Sequence, residues 1–191
     1  MVESDFSAKS TVLIMGQSES GKTSFIRYLL QRDFPGSQSE DKFVAITYSA
    51  NDVQLVSGSE AVSGPDSPFK AMASFGGGFV DRFQVSELDV ALLEHLTLID
   101  SPGSWMLKEL DAAASYYRFW AQKADAILVV FDAERSSISE HFAKLIVALK
   151  GNLDKVRVVL NKADGVGHQE LMRNYGAFVW SLGKVENVER G

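Results

Sequence analysis

The chain contains no cysteine, so disulfides and thiolate chemistry are excluded, and the composition fits a reducing compartment. It also lacks an excess of basic charge. The formal net charge of −6 argues against bulk nucleic-acid binding, which needs a basic face. The same balance gives no overall attraction to anionic membranes, and leaves open only a local patch. No apolar run is long enough to span a bilayer, and the start MVESDFSAKS has no apolar signal core. His95, His141 and His168 share no metal-ligand spacing. No nucleophile-elbow sequence supports Ser/His/Asp catalysis. Internal repeats and low-complexity tracts are missing as well. These absences leave a soluble, cytoplasmic protein as the default expectation. At 46% hydrophobic and 23% charged, the 191 residues suffice for one domain with a full-sized core.

What is present alternates between strand and helix signals. Thr11–Gly16 (TVLIMG) is a short β-branched apolar run ending in glycine, and predicts a buried strand. Lys22–Gln31 carries Phe25, Ile26, Leu29 and Leu30 at helical spacing, ended by Phe34-Pro35-Gly36. Phe43–Ser49 and Asp52–Ser57 read as strands, Ser63–Ser67 as a turn, and Ser67-Pro68 as a helix start. Gly76-Gly77-Gly78 then interrupts a helical stretch as a joint, and no lysine follows to make it a second phosphate loop. Leu92–Ile99, Ala126–Phe131 and Val156–Leu160 are strand candidates. Ala112–Gln122, Ser137–Lys150 and His168–Leu182 are predicted helices. The second places Ile138, Phe142, Leu145, Ile146 and Leu149 on one face; the third does so with Leu171, Tyr175, Phe178, Val179 and Leu182. The alternation predicts an α/β fold with a mostly parallel central sheet and helices on both faces. Ligands of such sheets sit at the carboxyl ends of the strands.

Three short motifs fall at such strand ends. GQSESGKTS spans Gly16, Gln17, Ser18, Glu19, Ser20, Gly21, Lys22, Thr23 and Ser24, and has the form of a P-loop. Its backbone amides and the following helix N-terminus suit a polyphosphate. Lys22 is expected to reach the β- and γ-phosphates, and Thr23 to ligate Mg²⁺. D-x-x-G at Asp100–Gly103 offers Asp100 to the Mg²⁺ shell and the Gly103 amide to the γ-phosphate. N-K-x-D at Asn161–Asp164 offers Asp164 to a base edge and Lys162 along the base, with Asn161 tying loops together. The last two are weak alone; all three in order, each behind a strand, point to a GTPase-like P-loop nucleotide-binding domain. Asp132 and Glu134 read as a solvated strand-end turn. Trp105, Trp120 and Trp180 lie in contexts that suit packing better than a stacking platform, and Trp180 is carried as a candidate nucleotide contact all the same.

KTSFIRYLLQRDFPG, SPFKAMASFGGGFVDRF, LTLIDSPG, KVRVVLNKAD and ELMRNYGAFVWSLGK together resemble the EH-domain-containing ATPases, dynamin-like proteins that remodel endosomal membranes. The resemblance runs from about Thr11 to Lys184, with residues 1–10 and 185–191 as tails. It implies a dynamin-type nucleotide-binding domain that binds ATP with Mg²⁺, forms a homodimer or oligomer through that domain, and acts on membranes. Family members continue past this chain's VENVERG into a helical membrane-binding stalk and usually an EH module. Membrane contact, at an endosome or the plasma membrane, is therefore expected only through segments outside this sequence, which is either a fragment or a short form.

Two departures bear on chemistry. Glu19 stands where related loops have a small hydroxyl residue. Pointing inward, its carboxylate would repel the γ-phosphate by about 4 kcal/mol at a separation of about 4 Å and an effective dielectric near 20. The expected orientation is outward, where that penalty mostly vanishes, with hydrolysis weakened either way. The segment after Phe34-Pro35-Gly36 is also short, and the first-switch threonine is missing. Ser39, or Ser37, is the candidate substitute, whereas Thr47 lies too far into a strand. Positioning dominates phosphoryl transfer, so slow hydrolysis is expected. N-K-x-D chemistry favours guanine, since a carboxylate accepts from two donors on that base, while the resemblance implies adenine. The reading is ATP with GTP as the alternative, and a slow ATPase with a non-hydrolysing, nucleotide-dependent dimerisation module as the other class.

Overall fold

The computed structural model describes residues 9–51, 53–64, 67–105, 109–135 and 137–187. Packing divides the chain into two compact units. One holds the chain up to Leu13 with Thr23–Pro102, the other Ile14–Lys22 with Gly103 onward.

Seven strands form one sheet in the order β3-β4-β2-β5-β1-β6-β7. In sequence they are β1 (Ser10–Met15), β2 (Phe43–Tyr48), β3 (Gln54–Ser57), β4 (Phe83–Leu88), β5 (Leu96–Asp100), β6 (Ala126–Asp132) and β7 (Val156–Asn161). β2–β4 and β6–β7 are parallel, whereas β2–β5 and β3–β4 are antiparallel. The sheet is thus mixed. The helices are α1 (Lys22–Leu30), α2 (Gly58–Ser63), α3 (Gly77–Val80), α4 (Leu92–His95), α5 (Leu110–Lys123), α6 (Glu140–Val147) and α7 (His168–Asn187). No helix among the described residues is long and apolar enough to cross a membrane.

The first unit is built on phenylalanine. Phe43, Phe79 and Phe83 are fully buried, Phe79 stacks on Phe83 with centroids 6.2 Å apart, and Phe69 meets Phe83 at 5.2 Å. Each such ring contributes about 1.5–3 kcal/mol by burial. The glycine triplet shapes this core. Gly76, at φ 80°, caps the short α3, which sets Phe79 inward between Phe43 and Phe75. In the second unit Phe131 packs against Phe142 of α6 and Phe178 of α7, and α5 buries Ala113, Tyr117, Trp120 and Ala121.

Several expectations are corrected. β4 has no counterpart in the sequence reading, because FQVSEL looks half-polar. Its Gln84 and Ser86 are nevertheless buried along with Phe83, Val85 and Leu88. Leu92–Ile99 is not one strand. Leu93 is fully buried while Leu92, Glu94 and His95 are exposed, a helical rather than alternating pattern, so one turn of helix precedes β5. Ser67 Oγ accepts from the Phe69 amide at 3.1 Å, but the helix after it, Lys70–Phe75, is of the 3₁₀ kind. Helix α1 stops at Leu30, before the proline, because Gln31 turns left-handed at φ 54°. Helix α6 starts at Glu140 rather than Ser137, as Ser139 Oγ accepts from the Phe142 amide at 3.2 Å. Most of its apolar face holds: Phe142, Leu145 and Ile146 are buried, as is Leu149 beyond its end, whereas Ile138 precedes the helix and is half-buried. The face of α7 holds only in part. Of the predicted stripe Phe178 is buried, and Asn174 with it, while Tyr175 and Val179 are exposed. Asp52 lies outside the described residues, as does the side chain of Leu182.

Candidate functional site

The phosphate-loop motif follows the fully buried end of β1, Leu13–Met15. The loop closes on itself through the Ser20 amide, which donates to the Gln17 carbonyl at 3.2 Å. Lys22 is 7% exposed, and its ammonium donates to the carbonyls of Gly16 (2.9 Å) and Gln17 (3.1 Å). Those two bonds draw the side chain back along the loop that precedes it. Ser20 is buried, and its Oγ has no hydrogen-bond partner among the described residues. Such a hydroxyl is an orphan that a ligand can satisfy. Ser18 and Ser24 are exposed. Gln17 Oε1 accepts from the Ser139 amide at 3.2 Å, tying the loop to the start of α6.

Two glycines record how closely other segments approach. A Cβ on Gly103 would lie 2.9 Å from Ser18 Cα and 3.0 Å from Lys22 Nζ. The D-x-x-G glycine therefore sits directly against the phosphate loop, and its side chain must be hydrogen. Gly21 has φ +88°, and a Cβ there would lie 2.1 Å from Asn161 Nδ2. That amide donates to the Ser20 carbonyl at 3.0 Å, the tie expected of the N-K-x-D asparagine. An open cleft, whose lining includes Gln17, Ser18, Gly103, Arg135 and Ser139, adjoins the loop.

The first unit holds the two candidate Mg²⁺ ligands together. Thr23 Oγ1 donates to Asp100 Oδ2 at 3.0 Å, and Asp100 is buried at the end of β5. One hydroxyl beside one buried carboxylate fits Mg²⁺, which keeps several waters and takes one or two protein oxygens plus phosphates. No group of three or more His, Cys, Asp or Glu that could cage a metal occurs among the described residues.

Other candidates land elsewhere. Glu19 points outward, its side chain 76% exposed, and accepts from Arg135 Nη2 at 2.7 Å. The inward carboxylate, with its repulsion, does not occur. Ser39 Oγ accepts from Gln84 Nε2 at 3.0 Å, and Ser37 Oγ from Arg27 at 3.0 Å. Both hydroxyls thus serve the loop after α1, and Thr47 lies within β2. Lys162 adopts φ 59° and gives its ammonium to Asp132 Oδ2 at 2.7 Å. Only its alkyl stem is left to lie along a base. Asp164 is exposed on a 3₁₀ turn, Ala163–Gly165. Trp105 and Trp120 are buried, as packing residues should be, but Trp180 is 63% exposed on α7.

Sequence reasoning missed Asp132 and Arg135. Asp132 is no solvated turn: its side chain is 4% exposed, with Lys162 at 2.7 Å and Arg135 at 3.6 Å. Burial alone would push its carboxyl up. The Lys162 hydrogen bond, the Glu134 amide and the charges of Lys162 and Arg135 outweigh that and hold it below the usual carboxylate range. A charged tetrapeptide, Asp132-Ala133-Glu134-Arg135, directly after the apolar AILVVF, at the ligand-bearing end of a strand, was the available signal.

A profile of the dynamin family matches residues 12–163. This chain belongs to the dynamin family. Within it, the similarity is to EH domain-containing proteins. EH domain-containing protein 2 of Arabidopsis thaliana is 41% identical over 98% of this chain and 36% of its own length. The human EH domain-containing protein 2 is 42% identical over 96% of the chain and 35% of its own length. The chain therefore spans little more than a third of these relatives. Among solved structures, a chain of an oligomerised bacterial dynamin pair, described as a mechanism for long-range sensing and tethering of membranes, superposes with a TM-score of 0.67. It does so at 16% identity, over 93% of this chain and 30% of that one. The chain thus has the dynamin-type P-loop fold, with a seven-stranded mixed sheet among the described residues, and is similar to about a third of the length of the EH domain-containing proteins.

Proposed function

We propose that this domain binds ATP with Mg²⁺ at the Gly16–Ser24 loop, and that the bound nucleotide drives its dimerisation and oligomerisation. On membranes it acts through segments its longer relatives possess. The observation that carries the proposal is the convergence on this loop of Gly103, which lies against Ser18 and Lys22, and of Asn161, which lies against Ser20 and Gly21. Lys22 and the loop amides, including those of Ser18, Glu19 and Gly21, take the phosphates; Thr23 and Asp100 take the metal; Lys162 and Asp164 face the base. Hydrolysis is slow on this reading, since Ser37 and Ser39 are engaged by Arg27 and Gln84 and no first-switch threonine positions the water. In a full-length setting the protein would be cytoplasmic and peripheral to endosomal or plasma membrane.

Competition of ATP and GTP against mant-ATP tests the binding. ATP is expected to displace the probe at lower concentration; preference for GTP would transfer the proposal to guanine, which the exposed Asp164 carboxylate is able to read. Single-turnover hydrolysis with and without liposomes tests the rate. Fast, liposome-stimulated turnover would overturn the slow-hydrolysis reading.

A further inference from the structure

A line of alternating charges joins the phosphate loop to the base loop. Glu19 Oε2 accepts from Arg135 Nη2 at 2.7 Å. Arg135 Nε lies 3.6 Å from Asp132 Oδ2, and that same oxygen accepts from Lys162 Nζ at 2.7 Å. Asp132 anchors the line: it is buried at the end of β6, and its Oδ1 accepts from the Glu134 amide at 3.0 Å. The two ends are unusual backbone. Glu19 at φ 63° and Lys162 at φ 59° are two of the three left-handed non-glycine residues described. Such conformations persist only where the surroundings over-determine them. Here each left-handed residue is held by its side chain, one by Arg135 and one by Asp132. Arg135 also lines the open cleft beside Gln17, Ser18 and Gly103.

We propose that Asp132 and Arg135 are positioning residues that couple the two loops, so that seating the polyphosphate and selecting the base are linked rather than independent. This rests on the nucleotide reading above. The Asn161–Ser20 bond supplies a second, uncharged strut between the same loops. Neither proposed residue belongs to the three motifs. Their sequence distance, 116 residues from Glu19 to Arg135 and 30 from Asp132 to Lys162, makes the coupling a property of the fold.

The test uses the whole chain. Glu19→Arg and Arg135→Glu, each alone, should weaken mant-ATP binding about three- to tenfold. The double swap should return to within about twofold of the original, as paired charges do in a double-mutant cycle. A double variant no better than the worse single, or singles without effect, would overturn the proposal. A merely local ion pair leaves base choice untouched. Arg135→Gln, which sits on the phosphate side, should therefore shift the ratio of mant-ATP to mant-GTP affinity by about threefold or more. Asp132→Asn, on the base side, should lower affinity for inorganic tripolyphosphate by a similar factor. Equal losses of both mant-nucleotides with Arg135→Gln would refute coupling. Should the original chain bind no nucleotide, the binding proposal fails, and amide exchange still decides this one. Arg135→Gln must then speed exchange in 161–165 as well as in 16–22; a change confined to 16–22 refutes it.

Discussion

Replacing Gly21 by alanine would strike the phosphate loop at its tightest point. The residue has φ +88°, where an L side chain is strained, and the new Cβ would meet Asn161 Nδ2 at 2.1 Å, well inside van der Waals contact. The amide of Asn161 must move, and its bond to the Ser20 carbonyl, 3.0 Å in the native arrangement, is lost. Left-handed strain contributes about 1–2 kcal/mol, and the hydrogen bond about 1 kcal/mol. Gly21→Ala should therefore destabilise the domain by about 2–3 kcal/mol. In urea, the midpoint should fall with m unchanged; on heating, Tm should drop by about 4–12 °C for a chain of this size. Asn161→Ala combined with it should be less than additive, because both remove the same bond. Gly176→Ala is the opposing case: it lies within α7, and a Cβ there meets nothing within 4 Å. That change should stabilise by about 0.5–1 kcal/mol. A loss below about 0.5 kcal/mol for Gly21→Ala, or full additivity with Asn161→Ala, would refute the geometry on which the loop assignment stands.

Lys22→Ala should raise the Kd for mant-ATP by about 100-fold, the loss of one charge-assisted contact of roughly 3 kcal/mol; unchanged affinity in calorimetry would place the phosphate site elsewhere. Glu19→Ser should not strengthen binding, because the carboxylate already faces Arg135 and solvent. A fall of about two- to fivefold is expected from an exposed pair, and a rise would mean that the carboxylate turns toward phosphate. Asp132 titrates below its ordinary value of 3.8, so its stabilisation is complete above that value and is lost as pH falls through the lower folded value. The stability gap between the original chain and Asp132→Asn, about 1.5–3 kcal/mol near neutral pH for a charged hydrogen bond, should close on acidification below about pH 4. Urea denaturation across pH measures it, and a gap that persists in strong acid would show that the carboxylate is not the group responsible.

The elements legible in the sequence were those whose residues face one environment throughout. AILVVF and TVLIM are apolar because the strands are buried, and the apolar face of α6 is compact enough to show its period. Where a segment mixes environments, the reading failed. FQVSEL buries a glutamine and a serine, so it looked like neither a core strand nor an alternating one. In α7 the buried face includes Asn174, whose Nδ2 donates to the Ala133 carbonyl at 2.8 Å. A satisfied polar group can occupy a core position, and hydrophobicity alone then assigns the stripe to the wrong side, here to Tyr175 and Val179.

The site divides along a similar line. Motifs point to atoms whose proposed role depends on local backbone alone: the loop amides, Lys22 behind them, the Thr23 hydroxyl one residue on. They also foresaw Asn161, because its partner is a backbone carbonyl that any such loop presents. What they could not supply is the partner of a charge. Glu19 looked like an obstacle because its sequence neighbours offer it nothing but the coming phosphates. Its orientation is set by a guanidinium that arrives after β6, and by the buried carboxylate that holds this guanidinium in turn. A charged side chain beside a polyphosphate is thus favourable or prohibitive according to contacts made across the fold. For this chain the Arg135 partner turns the one apparently hostile residue of the loop into an outward anchor.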